Sequence, residues 1–205
     1  MFQVCGTFPP GSRNSKQIRM TREGDREEQR LISRLRAGSE EAITAIYRRC
    51  SGPVYRFALH MTGKASLAED ITHETFLELL SNNRSFDPGK GALLGWLLGV
   101  ARNKTRRAMR EVFGSEPMDE SEAQELAVGE DTLSEFTRQE RIAALRQAIA
   151  TLPPHLREVV LLCEMQELGY SEAAEIIKCP VGTVRSRLHR AKSMLVSKLN
   201  ARCPA

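Results

Sequence analysis

From about Glu27 onward, apolar positions recur with a helical period and never with strand alternation. Leu31, Ile32 and Leu35 open the pattern, followed by Ala42, Ile43, Ile46 and Tyr47, then by Val54, Tyr55, Ala58 and Leu59. Gly38-Ser39 and Ser51-Gly52-Pro53 punctuate these runs, which predicts three helices with Ser39 as N-cap of the second. Thr62-Gly63 ends the third, and Ser66 starts a fourth, SLAEDITHETFLELL, with Glu69 at the N3 position of a capping box. Its buried side is Leu67, Ile71, Thr75 and Leu79, joined by Phe76 and Leu80.

Asn82 to Gly91, NNRSFDPGKG, is a loop by its Asn, Pro and Gly content. In the helix after it, Leu93, Leu97, Val100 and Ala101 supply an apolar stripe, while Asn103, Arg106, Arg107 and Arg110 fall at i, i+3, i+4 and i+7 as a polar cationic one. Trp96 extends the cationic stripe toward the loop. Glu111 to Arg138 has few large apolar residues and scattered acids, and reads as a flexible linker. Ile142, Leu145 and Ile149 resume the helical pattern, Thr151-Leu152-Pro153-Pro154 breaks it, and Leu156, Val159, Val160 and Cys163 restore it.

Two short helical patterns then flank a tight turn. The first, Ser171 to Lys178, takes Ser171 as a plausible N-cap and carries Ala173, Ala174, Ile176 and Ile177. Cys179-Pro180 stops it, and Gly182-Thr183 can open the second. There Val184, Leu188, Ala191 and Leu195 form one core-facing stripe. A rotation of about 100° per residue puts Ser186, His189, Arg190 and Ser193 on the opposite face, with Arg185 and Arg187 on the flanks. This is the pattern of a helix-turn-helix, whose second helix is free to enter a DNA groove; an amphipathic hairpin with a solvated basic face is the plainer alternative.

The fold class is therefore all-α, with two small helical domains, 27–112 and 139–202, joined by a flexible acidic linker, 113–138, and preceded by a disordered extension, 1–26. Composition adds little: of 205 residues, 41% are hydrophobic and 27% charged, an ordinary globular balance. No apolar run approaches a membrane span, and MFQVCGTFPPGSRNSKQIRM lacks the apolar core of a secretory signal, so the expected location is the cytoplasm. Met20 stands as an alternative start.

Charge placement says more than the net of +4. Ser171 to Arg202 holds seven Lys and Arg against two Glu, and Lys90 to Arg110 holds six basic residues and no acid. Between them, Glu111 to Glu140 carries ten acids against Arg138 alone. Two cationic blocks flanking an acidic bridge suit a polyanion partner.

Cys5, Cys50, Cys163, Cys179 and Cys203 are odd in number and show no metal spacing, so they read as reduced thiols. His73-Glu74 begins an H-E-x-x-H pattern, but position 77 is Leu. No metal, cofactor or catalytic constellation is expected, which sets aside a nucleic-acid-cleaving enzyme. Glu69, Asp70, His73, Glu74 and Glu78 crowd one side of the fourth helix, which is either solvated or docks a basic partner. Phe86, between Arg84 and Lys90, suits either a stacked unpaired base or a lid on the core.

Taken together, LAEDITHETFLELL, WLLGVARN, LPPHLREVVLL and CPVGTVRSRLHRA, in this order and separation, resemble an alternative sigma factor of the extracytoplasmic-function type, over about Glu27–Arg110 and Glu140–Leu199. The resemblance implies that the first domain is sigma region 2, which binds core RNA polymerase and melts the minus-10 element, and that the second is region 4, which reads the minus-35 element. It implies that Asp70, His73 and Glu74 dock on the polymerase clamp. Asn82, Asn83, Arg84 and Phe86 would cradle a flipped base, and Trp96, Arg102, Asn103, Arg106 and Arg107 would follow the opening strand. Ser186, His189 and Arg190 would meet base edges, with Thr183, Arg185 and Arg187 beside them on the minus-35 duplex. It also implies a cognate anti-sigma factor and no membrane insertion.

Four positions depart from the family: His73 replaces a usual Gln, Leu93 an aromatic, Leu94 often an Arg, and Lys178 often a Gly. The rival reading is a stand-alone helix-turn-helix regulator that binds duplex sites without polymerase.

Overall fold

The computed structural model describes residues 22–89, 91–113 and 138–202, and these contain helices and no strand. The elements are α1 (Arg22–Arg36), α2 (Glu40–Thr62), α3 (Ala65–Ser81), α4 (Leu93–Phe113), α5 (Arg138–Ala150), α6 (Pro154–Val160), α7 (Tyr170–Ile177) and α8 (Val181–Arg202). A π-helical turn, Leu161–Met165, continues α6. The acidic linker between 114 and 137, and the extension up to residue 21, lie outside the described residues.

Several boundaries differ from the sequence reading. Helix α1 begins at Arg22 rather than near Glu27, so residues 22–26 belong to the fold. Helix α2 runs unbroken through Ser51-Gly52-Pro53. An interior proline costs about 3 kcal/mol, and here Cys50, Val54 and Phe57 are buried on either side of it, so tertiary burial overrides the local break. Ser39 does cap α2, accepting the Ala42 N–H at 3.4 Å.

At the next turn, Gly63 takes a left-handed φ of 70° and donates to the Leu59 carbonyl. Lys64 is then the N-cap of α3, its side chain making no capping bond to the helix, so Ser66 sits inside the helix and the box with Glu69 does not form. Along α3, Ile71, Thr75, Phe76 and Leu79 are buried as the period requires, but Leu80 is exposed.

Helices α2, α3 and α4 pack on one another, with α1 against α2. The sequence reading missed how α4 is set. The buried Glu28 of α1 accepts the Leu93 N–H at 2.7 Å, placing a carboxylate on the first residue of α4, where the helix dipole favours negative charge. In the second module, α8 lies against α5, α6 and α7.

The two modules are not apart. Helix α4 packs on α7, while α2 meets α5, α6 and the π turn, so one apolar core runs through both. Arg157 donates to the Met61 carbonyl at 2.9 Å and the Leu152 carbonyl at 3.0 Å, and also to that of Ala150, binding the C-terminal ends of α2 and α5 together. Gln166 reaches the Pro53 carbonyl at 3.3 Å.

His60 lies along this contact. Burial, then the charges of Arg146, Arg56 and Arg157, hold its pKa below the ordinary 6.5. An unfolded chain takes up a proton near that value while the packed chain refuses it, so the stability present above about pH 6.5 is lost as the pH falls. Thermal melts between about pH 7.5 and 5.5 should show the decline, and His60→Gln should flatten it; equal slopes would remove His60 as its source.

Candidate nucleic-acid interface

The helix-turn-helix is α7, a turn at residues 178–180, and α8. Its first helix begins at Tyr170 with Gly169 as N-cap, not at Ser171. The Glu172 carboxylate accepts the Gly169 N–H at 2.7 Å and so performs the capping that Ser171 was expected to do. Lys178 takes the left-handed conformation at φ 60°, and the Cys179 N–H returns to the Ala174 carbonyl at 3.1 Å.

A left-handed non-glycine residue costs roughly 1–2 kcal/mol. Lys178→Gly should therefore stabilise the chain by about 1 kcal/mol after glycine's own entropy loss, read as a rise in the urea midpoint. A lower midpoint would show that the lysine side chain contributes more than the strain costs.

Helix α8 presents the faces that its period predicts. Val184, Leu188 and Ala191 are buried, with Leu195 half-buried, while Ser186, His189, Arg190 and Arg185 are exposed. Thr183 and Arg187 are half-buried at the edge of that surface. The Arg185 guanidinium lies over the Tyr170 ring at 5.8 Å, a cation–π contact that restrains it at the mouth of the turn. Tyr170 escaped the sequence reading because one aromatic at a helix start has no period. Lys192 pairs with Glu164 at 2.8 Å and ties α8 to the π turn.

The second cationic surface is divided. Asn103, Arg107 and Arg110 are exposed on α4 and Arg106 is half-buried; Arg107 pairs with Glu111 at 2.9 Å. Arg102, expected beside them, is only 5% exposed and forms a two-pronged ion pair with Glu158 of α6, itself 2% exposed. The reason lies in a second buried stripe on α4. Leu98, Ala101, Arg102 and Thr105 stand at i, i+3, i+4 and i+7, all buried, and two of them are polar, so hydrophobicity alone leaves the stripe invisible. The readable signal was Glu158, one carboxylate inside the apolar run LREVVLL.

Phe86 also departs from the base-stacking expectation. It is 2% exposed and meets Trp96 edge-on at 6.1 Å, so it is a lid on the core, with Trp96 half-buried above it. The loop is nonetheless well held. Arg36 of α1 donates to the Phe86 carbonyl at 2.7 Å, Ser85 to the Asn82 carbonyl at 2.7 Å, and Gly89 to Asp87 at 2.9 Å. This leaves Asn82 and Arg84 exposed and Asn83 half-buried.

On α3, Asp70, His73 and Glu74 are exposed together, and Glu74 reaches Lys104 at 3.2 Å. Beside them an open groove of about 520 Å³ between α2 and α3 is lined by Tyr47, Ser51, Tyr55, Asp70 and His73. Tyr47, Leu77 and Leu80 are exposed on the same two helices. Of the cysteines, Cys50, Cys163 and Cys179 are unpaired among the described residues, while Cys5 and Cys203 fall outside them. Burial pushes the Cys50 and Cys163 thiols up to about 11, so both stay protonated and unreactive. Among the described residues no group of His, Cys, Asp and Glu is arranged to hold a metal, and no helix is long and apolar enough to cross a membrane.

Comparison with known proteins agrees with this layout. The family described as Sigma-70 region 2 matches residues 46–112, and Sigma-70, region 4 matches 142–195. The ECF RNA polymerase sigma factor EcfG of Rhodopseudomonas palustris is 36% identical over 149 residues, covering 70% of this chain and 77% of that protein. SigW of Bacillus subtilis, also an ECF RNA polymerase sigma factor, is 30% identical over 178 residues, covering 82% and 94%. The sigma factor RpoE of Bartonella quintana, solved with the anti-sigma factor NepR, superposes with a TM-score of 0.57 at 25% identity, covering 77% of this chain and 96% of that one. Two regions matched in order, over most of the length of such relatives, do not favour a stand-alone regulator: the chain belongs to the extracytoplasmic-function group of the sigma-70 family and is an RNA polymerase sigma factor.

Proposed function

We propose that this sigma factor divides promoter recognition between its two modules and performs no catalysis of its own. The acidic side of α3, with Asp70, His73 and Glu74, and the adjoining groove dock on core polymerase, a region 2 role. The loop residues Asn82, Asn83 and Arg84 hold an unpaired base of the minus-10 element, and Asn103, Arg106 and Arg107 track the opened strand. Ser186, His189 and Arg190 read minus-35 base edges, with Thr183, Arg185 and Arg187 on phosphates.

The observation that carries this reading is the division of α8, with Val184, Leu188 and Ala191 buried behind an exposed face of Ser186, His189 and Arg190. The reading places the chain in the cytoplasm, where polymerase works. It adds an anti-sigma factor as a protein partner, supported by the Bartonella quintana relative solved with NepR.

A promoter selected from a library by holoenzyme, carrying 2-aminopurine in its minus-10 element, tests the assignment. Fluorescence should rise on opening and fall back with Asn83→Ala or Arg84→Ala. A full signal in both variants would refute the base pocket.

A further inference from the structure

We infer that Arg36 of α1 is a positioning residue for minus-10 recognition, holding in place the loop proposed above to take the unpaired base, a reading on which this one rests. Helix α1 lies outside residues 46–112, the stretch matched as Sigma-70 region 2, yet it grips the loop and the helix after it at two points. The Arg36 guanidinium donates to the Phe86 carbonyl at 2.7 Å and to the Asn83 carbonyl at 3.5 Å, so it holds backbone on both sides of Arg84. Roughly two turns earlier in α1, the Glu28 carboxylate accepts the Leu93 N–H at 2.7 Å.

The period of α1 brings both groups to one side. Glu28, Ile32, Leu35 and Arg36 stand at i, i+4, i+7 and i+8, and Ile32 and Leu35 are buried in the core. The apolar pair fixes the helix, and the two charged side chains are carried with it. Within the loop, Ser85 donates to the Asn82 carbonyl and Gly89 to the Asp87 carboxylate, bonds that set the loop's shape. The bonds from Arg36 come from a separate helix and set its place on the module. An unpaired base is bound most tightly by groups already in position, because ordering a loop during binding subtracts from affinity. A charged donor suits this task, since its bond to a carbonyl is stronger than a neutral one.

Arg36 is exposed outside this contact, so it can be replaced without opening the core. The test uses holoenzyme with the full chain, a selected promoter carrying 2-aminopurine in its minus-10 element, and a fluorescein-labelled single-stranded minus-10 oligonucleotide. Arg36→Ala should lower the 2-aminopurine signal and weaken oligonucleotide binding roughly tenfold. Affinity for core polymerase should stay at the wild-type value, which an unfolded chain would not show. Arg36→Lys, which keeps a donor for the Phe86 carbonyl, should recover most of the loss. Base preference should fall only at the flipped position, and the slope of log affinity against log salt should not change, because no phosphate contact is removed. In the Asn83→Ala background, Arg36→Ala should cost clearly less than in the wild type, since both act through one loop.

A full signal in Arg36→Ala beside a loss in Asn83→Ala would overturn the role of Arg36 and leave the base pocket standing. A full signal in both Asn83→Ala and Arg84→Ala would remove the pocket, and the role of Arg36 with it. A salt slope lowered by about 1 would make Arg36 a phosphate contact. Fully additive losses in the double variant would place its action outside the loop. Either result would overturn positioning.

Discussion

Alanine at Arg190 is expected to abolish discrimination at one upstream base pair while leaving binding to unrelated duplex nearly intact. Arg190 is exposed on α8 beside Ser186 and His189, directly behind which Leu188 and Ala191 are buried, so the side chain is aimed outward by a rigid helix. A bidentate arginine-to-guanine contact is worth about 1–3 kcal/mol against the wrong base. Holoenzyme carrying Arg190→Ala should lose roughly that much preference at a single position of the minus-35 element.

Arg107→Ala should behave differently. Arg107 is exposed on α4, and its charge is steadied by Glu111 at 2.9 Å, so a phosphate has to compete with that carboxylate. Its removal should weaken binding to every sequence and lower the slope of log affinity against log salt by about 1. Filter binding over a salt series separates the two variants. Equal loss on all sequences for both would defeat the division into base-reading and backbone-holding residues.

The second large effect is on stability. Phe57 is 1% exposed in the middle of α2, among Val54, Ala58 and Met61, which are all buried. Phe57→Ala removes an aromatic ring that close-packed neighbours cannot replace, at a cost of about 3–5 kcal/mol. Helix α2 also forms one wall of the groove beside Asp70 and His73 and packs on α4, so polymerase binding should fail in the same temperature range as the fold. A urea midpoint within error of the wild type would show that the cavity collapses at no cost.

The sequence made α8 legible because its burial is a one-body property: each of Val184, Leu188 and Ala191 is apolar, and their spacing alone sets the exposed face. What stayed hidden was pairwise. Arg102 is a charged residue that is buried, and only its partnership with Glu158, 56 positions away, gives the reason. Glu28 on Leu93 and Arg36 on the Phe86 carbonyl are likewise long-range bonds that set α4 and the loop without leaving a periodic trace.

Local signals failed where tertiary packing outweighed them. Pro53 sits inside a helix because its flanks are buried, and Lys178 holds a left-handed turn that glycine would adopt without strain. The side proposed to dock on polymerase is a mixed case. The acidic crowding on α3 could be seen in the sequence, but the groove beside it and the exposure of Tyr47, Leu77 and Leu80 emerged only when α2 and α3 were packed.

Run-off transcription with purified core polymerase on a promoter library is the most direct test of the whole account. The full chain should join core enzyme and yield discrete transcripts from templates sharing two separated elements, while neither component alone does so. A chain that fails to associate with core polymerase, yet occupies a duplex site unaided, would contradict it.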